Sequence, residues 1–207
     1  MKTVIFGVSG SVATIKAKEI AEELLKLNFN VVLLPTSKSI HFLNLPEYTI
    51  EPLLKSYPPT QDHHKPMFVQ FLDSDEFQAW DKKDDPVLHV ELRALASVLL
   101  IAPLGANTMA KICNGVCDNI VTQVTRAWHF ESGSQVKYPF IVAPAMNTMM
   151  YEHPITEIQI KYLEDTLKAK VMPTVLKKLM CGDEGYGAMI DVLFIVKEVE
   201  KAAASLP

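Results

Sequence analysis

Several side chains in this 207-residue chain stand where their types and spacing could do chemistry. His89 and Arg93 lie four residues apart in a run with helical periodicity, so they share one helix face. The run opens at Asp85-Pro86, which puts His89 in a first turn. There the helix dipole disfavours the imidazolium and suits a neutral ring able to take a proton, although a structural histidine fits the position too. Cys181 lies in a glycine-bearing stretch after Lys177-Lys178, surroundings in which a thiol can be tuned for proton donation or nucleophilic attack. Asn147, just after Pro144-Ala145-Met146, carries amide donors and an acceptor that could grip a carboxylate or cap the next helix.

Placing such groups requires a scaffold, and the apolar runs describe one. Thr3–Val8 and Val31–Leu34 read as strands, with an amphipathic helix, Val12–Leu27, between them. Ser97–Ala102, stopped by Pro103, and Phe140–Pro144 read as two further buried strands of a parallel sheet. Each is followed by small residues and then Asn-Thr: Gly105-Ala106-Asn107-Thr108 after one, Ala145-Met146-Asn147-Thr148 after the other. In an open α/β sheet ligands sit beyond the carboxyl ends of strands, so both turns face one crevice. Further helices are expected over Val87–Ala96, Thr156–Leu167 and Asp191–Ala204, with a short strand at Val171-Met172. Residues 177–189 read as a glycine loop able to move as a lid. Asn44–Asp85 is the least regular stretch, with an edge strand at Met67–Leu72. Its His63-His64 pair has no partner ligands at metal spacing, and no metal is expected. Cys113 and Cys117, four apart on a helix, read as core or interface thiols.

The first turn, Gly7-Val8-Ser9-Gly10-Ser11-Val12-Ala13, runs a glycine bend into a helix N-terminus, an arrangement that binds anions. Ser9 and Ser11 add hydroxyl donors. A dinucleotide site would carry Asp or Glu at the end of the second strand, but Thr36-Ser37-Lys38-Ser39 stands there instead. Hydroxyls with one lysine suit a phosphate, which favours a mononucleotide such as flavin mononucleotide (FMN); the alternative is a pair of ordinary Ser/Thr helix caps.

The totals exclude several classes. The length suits one domain, 1–207, with 44–85 as an irregular insert. A net charge of -4 disfavours a nucleic-acid partner, and no apolar run reaches the ~18 residues a bilayer span needs. Three cysteines and a first strand beginning at the third residue, with no signal-peptide pattern, lead to the expectation of a cytoplasmic protein with free thiols.

Four blocks in this order resemble the flavin-dependent cysteine decarboxylases: Asp85-Pro86-Val87-Leu88-His89-Val90-Glu91-Leu92-Arg93, Ile101–Thr108, Pro144–Asn147 and Cys181-Gly182-Asp183. The resemblance implies a flavodoxin-like, three-layer α/β/α sheet of Rossmann type, FMN as cofactor, and a homotrimer with FMN at the subunit interface. It implies that Gly10, Ser11 and Thr36, Ser37, Lys38 and Ser39 hold the phosphate side, with Phe42 beside the flavin. Gly105, Ala106, Asn107, Thr108 and Ala145 would line the remaining edge. His89 would be the base, with Arg93 on its face toward the substrate. Asn147 would hold the substrate carboxylate, and Met180 to Gly182 would form a clamp carrying Cys181 as proton donor. Gly105 stands where relatives often carry Ser, and Met180 where they carry a smaller residue.

The implied reaction decarboxylates 4′-phosphopantothenoylcysteine, a small-molecule substrate, to 4′-phosphopantetheine on the way to coenzyme A. A simple amino-acid carboxylate loses CO2 poorly, because the carbanion left behind is unstabilised. Oxidising the thiol end to a thioaldehyde supplies an electron sink, loss of CO2 gives an enethiolate, and the flavin then returns the hydride. The alternatives are a peptidyl-cysteine decarboxylase on the same fold, a regulatory relative of phosphatase-inhibitor type, and one subunit of a mixed trimer.

Overall fold

The structure, a computed structural model, describes residues 1–43, 66–78, 80–83, 85–129, 138–178 and 184–206. Five segments, β1 (Thr3–Val8), β2 (Asn30–Pro35), β4 (Val98–Leu104), β5 (Phe140–Pro144) and β6 (Lys170–Val171), join β3 (Phe68–Gln70) in one parallel sheet. Its order is β3-β2-β1-β4-β5-β6. Setting aside the three-residue edge strand β3 leaves the flavodoxin order, with the direction of winding reversing between β1 and β4.

Alternation along the strands sorts the core into two layers. Val4, Phe6 and Val8 of β1 pack with Ile20 and Leu24 of α1 (Ala17–Lys26) and Ile195 and Val199 of α8 (Val192–Ala204). Ile5 points the other way, into the cluster that holds Leu88 and Leu92 of α3 (Leu88–Leu95) and Val121 and Val124 of α5 (Ile120–Arg126). Met109 of α4 (Ala106–Cys113) and Leu163 of α7 (Pro154–Asp165) belong to the same cluster. The three-layer α/β/α reading therefore holds.

Several local expectations change. The first helix begins as a 3-10 turn, Val12–Lys16, because Ser11 and Thr14 form a reciprocal capping box there. β4 runs through Pro103 to Leu104, past the expected stop, with a cis Ala102-Pro103 peptide and a shift in register against β5. Pro86 precedes the cap of α3 instead of lying in its first turn. α4 ends at Cys113 in a Schellman turn: Gly115 is left-handed (φ 71), Val116 N–H donates to Lys111 O and Gly115 N–H to Ile112 O. Cys117 thus lies outside the helix that was expected to carry both thiols. Within the stretch read as irregular, residues 71–78 form a turn and the short helix α2 (Asp75–Gln78). Residues 177–189 are no simple loop. They include most of an antiparallel pair, β7 (Thr174–Lys178) and β8 (Glu184–Met189), joined by 179–183. His63, His64, Met180, Cys181 and Gly182 lie outside the described residues.

Candidate active site

The parallel sheet brings three strand ends together at its carboxyl edge. The buried Ser9 hydroxyl at the end of β1 donates to Pro103 O at 2.7 Å and accepts from Gly105 N–H at 2.7 Å. Ser9 N–H also bonds Pro103 O, at 3.2 Å. Ser9 was expected to offer its hydroxyl to an anion, but that hydroxyl staples β1 to β4 across the switch point. Ser11 caps the 3-10 turn through Ala13 N–H.

The β2 turn closes on the same place. A Cβ on Gly10 would lie 2.7 Å from Lys38 Cβ, and one on Gly105 would lie 3.3 Å from both Gly10 O and Ser9 Oγ. The three turns therefore approach backbone to backbone, and a side chain at 105 would press on Gly10 O and Ser9 Oγ. Ser39 is fully buried and folds the turn by donating its hydroxyl to Thr36 O at 2.7 Å. Ser37, Lys38 and Gly10 are exposed, and Phe42 is half-buried with its ring edge-to-face on His41. Thr36 Oγ1, in contrast, is buried without a hydrogen-bond partner. An orphaned hydroxyl at the end of β2, beside the β1 turn, is a group that a polar ligand could satisfy.

On the other side of β4, Ala145 N–H donates to Leu104 O, so the β5 turn adjoins the β4 turn. Gly105 and Ala145 are buried, Ala106 is half-buried, Thr108 is buried and Asn107 is exposed at the start of α4. Asn147 is the N-cap of α6 (Thr148–Tyr151), with Oδ1 accepting from Met149 N–H at 2.9 Å. Capping and carboxylate binding, weighed as rivals in the sequence, are compatible in one side chain. The cap uses Oδ1 and fixes the amide plane, so the donors of the side chain lie at Nδ2.

β8 packs onto this turn. Met146 N–H donates to Gly187 O. Gly187 has φ 123, and a Cβ there would meet Met146 O at 2.5 Å, while one on Gly185 would run into the Thr148 side chain. These glycines are therefore required by close packing against the Asn147 turn. The connection that carries Cys181 joins β7 to this strand.

His89 arrives from a different element. α3 leads into a parallel strand, so its N-terminus lies at the carboxyl edge as well. Val87, the cap residue, has no side-chain acceptor, and Glu76 of α2 supplies one. Glu76 Oε2 accepts His89 N–H at 3.1 Å, and Oε1 sits 2.5 Å from His89 Nδ1. The described hydrogen bonds of His89 thus run to Glu76, with none to the Ser9, Gly105 or Asn147 turns. Sequence reading missed Glu76, thirteen positions upstream in the stretch taken as irregular. Arg93, half-buried one turn further along α3, has its Nε buried without a partner.

Cys113 stays outside this chemistry. Burial pushes its thiol up to about 11, and it donates to Gln159 O at 3.6 Å, which makes it an inert core thiol.

Comparison with known proteins adds an independent line. A family model described as Flavoprotein matches residues 1–204. Phosphopantothenoylcysteine decarboxylase of Mus musculus is 36% identical over 198 residues, 95% of this chain and 85% of the mouse protein. The putative phosphopantothenoylcysteine decarboxylase of Dictyostelium discoideum is 41% identical over 202 residues, 94% of this chain and 90% of its own. A solved structure of a cysteine-to-serine mutant of PPC decarboxylase, complexed with pantothenoylaminoethenethiol, matches with a TM-score of 0.82 and 37% identity over 99% of each chain. The FMN binding protein AtHal3 matches with a TM-score of 0.79 and 37% identity, over 100% of this chain and 98% of that one.

Proposed function

The chain belongs to the Flavoprotein family, and from that premise we propose that it catalyses FMN-dependent decarboxylation of 4′-phosphopantothenoylcysteine to 4′-phosphopantetheine, a carboxy-lyase step toward coenzyme A. The observation that carries the cofactor assignment is the close meeting of the β1, β2 and β4 turns together with the buried, unpaired Thr36 Oγ1 at the end of β2. The side chains there fit a flavin mononucleotide phosphate: the hydroxyls of Ser11, Thr36 and Ser37, and the Lys38 ammonium. The absence of an acidic ribose hook agrees. Phe42, Gly105 to Thr108 and Ala145 are proposed to hold the rest of the cofactor.

When bound, FMN supplies a two-electron sink that takes hydride from the thiol-bearing carbon of the substrate and later returns it. His89 takes the substrate thiol proton at Nε2, the ring nitrogen opposite its Glu76 contact. Asn147, its amide plane fixed by the α6 cap, donates from Nδ2 to the carboxylate until that group leaves as CO2. Arg93, with Met180 and Gly182, adds to substrate binding, the guanidinium supported by its unpaired buried Nε. Cys181 gives a proton to the carbon that has lost CO2. Its support is the Cys181-Gly182-Asp183 block, together with the enethiol complexed by a relative in which a cysteine is serine.

The proposed working form is a cytoplasmic homotrimer with FMN at the subunit interface. Val12, Ile15, Ile40, Met149 and Met150, all exposed on turns and helices that follow strand ends, support an apolar contact near the carboxyl edge. No helix of the described residues is long and apolar enough to cross a membrane.

Thr36→Val tests this site. Valine keeps the β-branched shape and removes only the orphaned hydroxyl, so thermal stability should hold or rise slightly. FMN affinity should fall roughly 10-fold or more, the worth of a hydrogen bond to a charged group, in a flavin-fluorescence titration of the apoprotein. Unchanged affinity would remove Thr36 from the cofactor site.

A further inference from the structure

Glu76 inverts the usual sorting of its helix. On the four-residue α2 the glutamate is buried, at 7% exposure, while its neighbour Phe77 is 77% exposed. A carboxylate is buried at such cost only where its oxygens are satisfied. Here both are used on a single residue: Oε2 on the His89 backbone N–H at 3.1 Å, and Oε1 on His89 Nδ1 at 2.5 Å. Capping α3 needs only one of those contacts.

The segment that carries Glu76 is itself tied down by acidic side chains. Asp75 Oδ2 accepts from Leu72 N–H at 2.6 Å, and Asp73 Oδ1 accepts from Ile120 N–H at the start of α5, at 2.9 Å. Residues 72–76 thus brace the N-termini of α3 and α5, and the carboxylate is held against the ring by more than its own rotamer.

We propose that Glu76 is the positioning residue for His89, fixing the imidazole as the Nδ1–H tautomer so that Nε2 is the nitrogen able to take a proton. The inference rests on the proposed reading of His89 as base. The backbone N–H is always a donor, so the oxygen facing it must accept. The second oxygen of an ionised carboxylate is also an acceptor and calls for a proton on Nδ1. With that proton on Nδ1, a neutral ring carries its lone pair on Nε2. A glutamine separates this role from simple capping. Its single oxygen would stay with the backbone N–H, and its NH2 would turn to Nδ1, driving the ring proton to Nε2.

The test is performed on the FMN-loaded protein with ¹⁵N-labelled histidine. Long-range ¹H–¹⁵N correlation of the neutral ring reads the tautomer, and His89→Asn identifies the resonance. Wild type is expected to carry the proton on Nδ1, Glu76→Gln on Nε2, and Glu76→Asp again on Nδ1. Turnover of 4′-phosphopantothenoylcysteine by Glu76→Gln should fall about 10²-fold in kcat, with KM and flavin content nearly unchanged, and Glu76→Asp should restore part of it. A wild-type ring protonated on Nε2 overturns the proposal, even where the glutamine variant does not fold. So does an unchanged tautomer in Glu76→Gln, or a switched tautomer with undiminished kcat. The base assignment is judged separately: a His89→Asn enzyme that turns over like wild type removes His89 as base, and with it any catalytic role for Glu76, whatever the tautomer spectrum shows.

Discussion

Replacing Asn147 with aspartate is expected to leave the fold intact and to cut kcat/KM by roughly 10²- to 10³-fold. Aspartate caps helices about as well as asparagine, so its carboxylate still accepts from Met149 N–H and α6 keeps its first turn. Thermal stability should stay close to that of wild type. What changes is the other end of the side chain. The Nδ2 donors give way to a carboxylate oxygen, which both loses a charge-assisted hydrogen bond and sets like charge against the substrate carboxylate. Asn147→Ala removes both functions, and should lose about 1 kcal/mol of stability with the cap as well as activity. Parallel melting curves and steady-state kinetics on the two variants separate the roles. An aspartate variant with wild-type turnover would remove Asn147 from the reaction.

The second large effect belongs to Cys181. Cys181→Ser should still release CO2 from 4′-phosphopantothenoylcysteine, since the steps up to that point are proposed to fall to His89, Asn147 and the cofactor. Serine is a far weaker acid than cysteine, so the last proton is not delivered and an enethiol product accumulates. Formation of the finished aminoethanethiol should drop by about 10²- to 10⁴-fold, the usual worth of a positioned general acid. Quantifying CO2 and thiol products in the same reaction distinguishes this from a variant that merely binds poorly, in which both would fall together. Finished product at the wild-type rate would remove Cys181 from the reaction.

The parts of this architecture that were legible in the sequence are those set by local periodicity. The unbroken apolar runs Val4-Ile5-Phe6 and Val31-Val32-Leu33 announce strands buried on both faces, and the two layers of the core take alternate residues of each. The turns after Pro103 and Pro144 could be located because proline and small residues punctuate apolar runs there. What escaped were pairings between residues distant in sequence. Nothing near His89 shows that Glu76 will meet it. The available hint was negative: Val87 cannot cap α3, so an acceptor had to come from elsewhere. Ser9 looked like a phosphate ligand because a hydroxyl in a glycine turn reads the same whether it faces an anion or a neighbouring strand. The β7–β8 pair was hidden because Gly185 and Gly187 lower strand propensity, and their reason is contact with Thr148 and Met146.

The decarboxylation proposed for this protein can be read in a single experiment: the FMN-loaded wild-type protein is incubated with 4′-phosphopantothenoylcysteine and the mixture followed by mass spectrometry. The substrate is expected to lose CO2 and accumulate as 4′-phosphopantetheine without any added nicotinamide, because the hydride taken up is returned. A substrate mass that stays unchanged in the presence of bound flavin would contradict the proposed activity.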